Sequence, residues 1–264
     1  MTTFESPLSV TYIGTATVLI EIDGINLLTD PVFRDAGAEY DLGVVVLKST
    51  QGPAIKLNEL PPIDAVLLSH EDHPDNLDES GRLLLDGRKV ITTMDGAKKL
   101  APRPGVRGIN PWETVKLNVA GKSFDVTGTP CQHLPGGECT GFILASSEFG
   151  STEGKPNIIF ISGDTVYLEE LVSIRERYHV SVAILHLGIA TVPLPEGPLP
   201  ITMGGKDGAK LARKLGAEVV IPIHFEPWSH FAEGSDELHK ILDQEEDIKD
   251  KIRWLKPGLP EKIF

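Results

Sequence analysis

The chain is poor in the features that mark several protein classes. It holds only two cysteines in 264 residues, Cys131 and Cys139, so it has no disulfide framework of the kind that staples small secreted domains. No Asn-x-Ser/Thr sequon occurs, and the start, MTTFESPLSV, lacks the positive region and apolar stretch of a secretory signal. No apolar run approaches the ~18 residues that span a bilayer. The longest, residues 180–192, is interrupted by Ser181, His186 and Gly188. There is no Lys/Arg-rich run, and 25 basic against 38 acidic residues leave a net charge of −13. Proteins that grip nucleic acid do so through a basic face, so no nucleic-acid partner is expected. These absences point to a cytoplasmic chain with no membrane span, whose partner is a small molecule. They leave the oligomeric state open.

What is present is the composition of an ordinary globular protein, 41% hydrophobic and 24% charged, in a chain long enough for a substantial core. No fixed-period repeat, low-complexity tract or compositional shift divides it, so residues 1–264 are expected to form one domain. Residues 9–13, 17–22 and 25–28 are rich in β-branched and apolar side chains. Asp23-Gly24 lies between the last two runs as a hairpin turn. Beyond them, short apolar runs alternate with helical patterns. Residues 77–85 suit a helix capped by Asn76, with Glu79 completing a capping box. Residues 207–215 suit a second helix stopped by Gly216, and 236–242 a third. PLPEGPLP, residues 193–200, is too proline-rich for regular structure and is expected as an ordered loop or lid.

The informative pattern lies at the end of each buried apolar run. Residues 66–68 run into His70, and 124–127 lead through Gly128-Thr129-Pro130 to His133. Residues 158–161 end at Ser162-Gly163-Asp164, 182–185 at His186, and 219–223 at His224. Continuous apolar runs suit strands covered on both faces, and ligands of such sheets bind beyond the strands' carboxyl ends. Five segments therefore deliver His or Asp to what reads as one sheet edge. Imidazole and carboxylate together suit zinc, with manganese or iron as alternatives, and one or two ions.

Each residue also has a plainer reading. A lone histidine such as His186 is more often a core or solvated residue, Asn76 more often a helix cap, and Asp164 in GDT a turn residue. The spacing Cys131-x-His133-x₅-Cys139 matches no common structural zinc pattern, so both cysteines read as free thiols. It is the recurrence at successive strand ends that the plainer readings leave unexplained.

The ordered motifs TYIGTATVLIEIDG, LLTDPVF, LLSHEDHPDNLD, TPCQH, FISGDT and IPIHFEPW resemble the metallo-β-lactamase fold hydrolases. The resemblance is to the branch containing ascorbate-6-phosphate lactonase and N-acylphosphatidylethanolamine phospholipase D, and it covers residues from about 10 to 231. It implies an α/β (α+β) fold, a four-layer αββα sandwich with metals held between two sheets at one edge. Carried over, His70 and His73 resemble the paired histidines of the first motif, Asp75 its aspartate, and His133 the next histidine. Asp164 resembles the bridging aspartate, His224 the last histidine, and Asp30 an aspartate that orients a ligand.

The first motif departs from H-x-H-x-D-H. It reads H-x-x-H-x-D-N, with one residue inserted after His70 and Asn76 in place of the final histidine. Aligned from the strand end instead, Asp72 would take the second histidine's place and Pro74 the aspartate's. Thr15 stands where the branch often has histidine, a change expected to bear on the pocket more than on the metals, whereas Asn76 bears on the second metal site. One metal site is therefore expected intact and the other weakened. The resemblance implies a metal-dependent hydrolase that uses a metal-bound hydroxide on a small lactone, lactam, ester or phosphoester, with Asp75 as catalytic residue. The pocket candidates are Trp228, His230, His186 and the segment 193–200; for Trp228 core packing is an equal alternative. The competing expectation is a non-catalytic member of the fold that binds metal or ligand as a sensor or scaffold.

Overall fold

A computed structural model describes residues 4–41, 43, 46–134 and 137–264. Two large sheets face one another. The first runs Glu261–Lys262, Leu8–Gly14, Thr17–Ile22, Ile25–Thr29, Ala65–Leu67, Lys89–Thr93 and Val106–Ile109 in spatial order. Its Asp23-Gly24 turn joins two antiparallel strands in the register Ile22↔Ile25, and from Ile25–Thr29 onward the pairing is parallel. The second sheet runs Val219–Ile223, His179–His186, Lys155–Ile161, Thr140–Ala145, Lys122–Pro130 and Thr114–Val119, with Ser151–Thr152 paired beside it. Its first three strands are mutually parallel.

The apolar runs are continuous because both faces of each sheet are covered. Alternate residues explain the layers. Ile159, Ile161, Val182 and Ile184 point inward and meet Val10, Ile20, Leu27 and Leu67 of the first sheet in the central core. Their neighbours Ile158, Phe160, Ala183 and Leu185 point outward, onto Leu211 and Leu215 of helix Gly205–Leu215 and Leu238 of helix Ser235–Asp243. On the far side, Leu28, Val66 and Leu68 pack with Leu84 and Leu85 at helix Glu79–Leu84. The order is helix, sheet, sheet, helix: the αββα sandwich.

Helix Gly205–Leu215 ends where Gly216 takes a left-handed φ of 69°, and Ala217 N–H returns to Ala212 O, the usual close of a glycine-terminated helix. The first helix departs from expectation. It starts at Glu79, and its cap is Asp78, not Asn76: Asp78 Oδ1 accepts from Gly81 N at 2.7 Å. Asp78 Oδ2 also accepts from Phe33 N at 2.7 Å, so one carboxylate serves two buried donors. Asn76 is fully buried and turned towards Ser69. Asp78→Ala should cost about 2–4 kcal/mol, a lost cap plus an orphaned buried N–H. Urea unfolding would measure it.

The segment 193–200 is likewise not an irregular loop. Strands Thr191–Leu194 and Gly197–Pro200 form an exposed hairpin, with pairs Val192↔Leu199 and Pro193↔Pro198. Pro193, Pro198 and Pro200 occupy one parity of this ladder. At that parity the pairs are of the non-hydrogen-bonded type, so a missing N–H costs the pairing nothing.

Candidate metal centre

The expected single sheet edge proves to be two. Strands Lys122–Pro130, Lys155–Ile161, His179–His186 and Val219–Ile223 of the second sheet lead to His133, Asp164, His186 and His224. Ala65–Leu67 of the first sheet leads to His70, and the loop after it carries His73 and Asp75. The side chains meet in the cleft between the sheets because the two strand ends face each other there.

Two clusters result. His70, His73 and His133 form one, and Asp164, His186 and His224 the other, each with ligand atoms within 4.8 Å of one another. His73 Nδ1 lies 2.9 Å from His70 Nε2 and 3.2 Å from His133 Nε2. Asp164 Oδ2 faces both clusters, 3.9 Å from His70 Nε2, 3.9 Å from His133 Nε2 and 3.3 Å from His224 Nε2. Asp75 Oδ2 sits 3.7 Å from His224 Nε2 and 3.4 Å from His230 Nε2.

The outer hydrogen bonds decide which nitrogens are free. Asp30 Oδ1 accepts from Ser69 N at 2.7 Å and from Ser69 Oγ at 2.9 Å. With its proton committed there, Ser69 Oγ can only accept from His70 Nδ1, 2.8 Å away. The Nε2 lone pair of His70 is thereby aimed into the cluster. His133 Nδ1 donates to Ile201 O at 2.8 Å, with the same effect on its Nε2, while His186 Nδ1 donates to Asp164 Oδ1 at 2.7 Å and so orients that carboxylate.

Charge follows from burial and neighbours. Burial, reinforced by His73, holds His70 well below the usual imidazole range; burial also outweighs Asp164 in lowering His133 and His186. Burial thus favours the neutral form of all three, the form in which an imidazole can bind a metal. Burial would raise Asp164 and Asp75, but His224 and His186 around the first, and His224 and His230 around the second, hold both well below the carboxylate range. For His224, burial pulls downward and is overcome by Asp164 and then Asp75, which push it up to about 10.

These observations fit a divalent cation. Three ring nitrogens converge at 2.9–3.2 Å with at most one proton between them. Asp75 Oδ1 and His224 Nε2, both at the cleft, are buried without a hydrogen-bond partner.

Backbone conformations support a purpose-built site. Thr15 (φ 50°), Asp30 (φ 33°) and His224 (φ 64°) are all left-handed non-glycine residues, each a local cost that concentrates at working sites. His224 N is tied to Thr15 O at 2.8 Å. Gly163, at φ 62°, could not be replaced freely, since a Cβ would stand 2.5 Å from Thr140 O.

The remaining residues divide. His230 lines the cavity above the clusters, while Trp228 and His186 do not. Trp228 is buried, donates from Nε1 to Thr15 Oγ1 at 3.0 Å, and carries the Arg34 guanidinium 3.5 Å from its ring centroid. His186 is fully buried against Asp164, a role its place at a strand end did not reveal. Asp72 stands outside the clusters, half exposed and 3.9 Å from Lys99. Glu71 pairs with Lys99 and Arg82 at 3.0 Å each, so both acidic side chains between His70 and His73 face basic side chains and not the clusters. Ser69 and the Ile201 carbonyl were not legible as site parts, because nothing in a serine or a backbone oxygen signals its neighbours. Cys131 and Cys139 are free thiols, with Cys139 Sγ 3.6 Å from His70 Nδ1.

With this geometry in hand, comparison with known proteins is direct. The family described as "Beta-lactamase superfamily domain" matches residues 25–225. An uncharacterized protein of Mycobacterium tuberculosis is 45% identical over 236 residues, 83% of this chain and 59% of that protein. A metal-dependent hydrolase of Exiguobacterium sp. is 27% identical over 249 residues, 88% of this chain and 94% of that one. Among solved structures, an isothiocyanate hydrolase from Delia radicum gut bacteria superposes with a TM-score of 0.76 at 22% identity, covering 96% and 98% of the two chains. The chain spans only 53–59% of the length of two of the relatives it matches. It belongs to the β-lactamase superfamily, and it shares its fold with the solved isothiocyanate hydrolase.

Proposed function

We propose that this chain hydrolyses a small, neutral acyl compound, a lactone, lactam or ester, at a two-ion centre. His70, His73, His133 and Asp164 would hold one ion, and Asp75, His224 and Asp164 the other, with zinc the best match to a nitrogen-and-carboxylate set. Such an ion polarises a carbonyl oxygen and brings the pKa of water from 15.7 towards about 7. The chain's own groups do the rest. Asp30 and Ser69 orient His70, and His186 orients Asp164. Asp75 Oδ1, buried and without a partner, is the acceptor available to orient the attacking water and take up its proton.

One observation carries the substrate class. The cavity over these residues is walled by Leu47, Leu134, Ala190, Val192 and Ile201 and has no Lys or Arg among its described lining residues. Two divalent ions set against the Asp75 and Asp164 carboxylates would themselves balance a phosphodiester's single charge, so the missing Lys or Arg counts against a doubly charged phosphomonoester, while the apolar walls favour an uncharged carbonyl compound.

The test is a panel of small lactones, lactams, esters and phosphodiesters, run before and after dialysis against a chelator. Turnover of a neutral acyl substrate that is lost on chelation and restored by zinc is expected. Preference for a phosphodiester would refute the substrate class. No turnover on any panel member by a metal-loaded protein would favour the non-catalytic reading, for which the loss of histidine at positions 15 and 76 speaks.

A further inference from the structure

We infer that His230 is a ligand of the second ion, supplying the imidazole that Asn76 does not. The inference rests on the two-ion reading above and concerns the composition of its weaker half. Asn76 follows Asp75 directly and is fully buried; its Nδ2 is directed at Ser69 Oγ, 3.4 Å away, and its Oδ1 has no hydrogen-bond partner but is a neutral amide oxygen, a weaker donor to zinc than imidazole. The second site then retains Asp75, Asp164 and His224, with no imidazole from the first motif.

His230 arrives from the other direction. Its Nε2 stands 3.4 Å from Asp75 Oδ2, as His224 Nε2 stands 3.7 Å from the same oxygen and 3.3 Å from Asp164 Oδ2. In a tetrahedral zinc site with bonds of 2.0–2.1 Å, two ligand atoms lie about 3.3–3.4 Å apart. The spacing of His230 from Asp75 is thus that of two groups sharing one ion. Its side chain is only 8% exposed, so Nε2 faces Asp75 within the closed cleft and not in bulk solvent.

The position is built. Trp228 is bridged to Ser49 and Phe231 to Ala190, so the backbone is pinned on both sides of His230. The ring packs against Phe231 with centroids 4.5 Å apart and meets Trp228 edge-on at 6.1 Å. The competing role is proton delivery to the leaving group, because His230 lines the cavity. That role would move the rate and leave metal content unchanged.

The experiment is zinc titration by calorimetry into the full chain stripped of metal, with elemental analysis of the loaded protein, for wild type, His230→Ala and His230→Gln. Circular dichroism establishes which variants are folded, and the glutamine variant, which keeps the side chain's bulk, decides if alanine does not fold. Two tight sites are expected in wild type and one in the variants. The second should weaken by more than the roughly 10–100-fold typical of losing a partner outside the coordination sphere. Two unweakened sites in a folded variant would overturn the assignment of His230 and leave the two-ion centre standing. A wild type with one site would also overturn it, and a wild type with none would remove the metal reading altogether.

Discussion

Asp164→Ala is expected to leave the protein folded but without either metal ion, and with hydrolysis reduced on the order of 10⁴-fold or more. The reason is that Asp164 Oδ2 is the atom common to both clusters, within 3.3–3.9 Å of His70, His133 and His224. Its other oxygen holds His186 at 2.7 Å. Removing the carboxylate deletes one ligand from each site and leaves His186 Nδ1 buried without its acceptor, so some loss of stability accompanies the loss of metal. Elemental analysis and single-substrate kinetics check it together. Retention of one tightly held ion would show that Asp164 serves a single site.

His133→Ala separates the two sites instead. His133 Nε2 belongs to the three-histidine cluster, and its Nδ1 donates to Ile201 O beside the cavity. The variant should keep the ion on Asp75, Asp164 and His224 and lose the other. Metal content should fall from two per chain to one, with turnover down at least about 10³-fold. Unimpaired hydrolysis in a protein missing that ion would contradict the proposed mechanism directly. The two variants together distinguish a shared ligand from a private one: one empties both sites, the other empties one.

Much of the fold was legible because its signals are local. Asp23-Gly24 between β-branched runs announced the first hairpin, and Gly216 the end of helix Gly205–Leu215, since both depend on backbone conformations that neighbouring residues set. The hairpin over Thr191–Leu194 and Gly197–Pro200 was misread because proline content was weighed without its register. Three prolines of one parity remove no ladder bond, and parity appears only once the strands are paired. Asn76 and Asp78 are both good helix caps by chemistry. Asp78 prevailed because Phe33, 45 residues away, adds a second donor to its carboxylate.

The chain by itself determined the candidate donor types, their order along the strands, and the family whose motifs they share. It did so because metal chemistry restricts donors to a few residue types, and buried strands end abruptly in the polar residues placed just beyond them. Only the tertiary structure decided which groups meet. It put His70 and His133 on opposite sheets yet around one point, turned Asp72 out to Lys99, withdrew His186 behind Asp164, and brought His230 to Asp75 from 155 positions further along. Those outcomes depend on where two sheets and their loops come together, a property of packing that no residue carries alone.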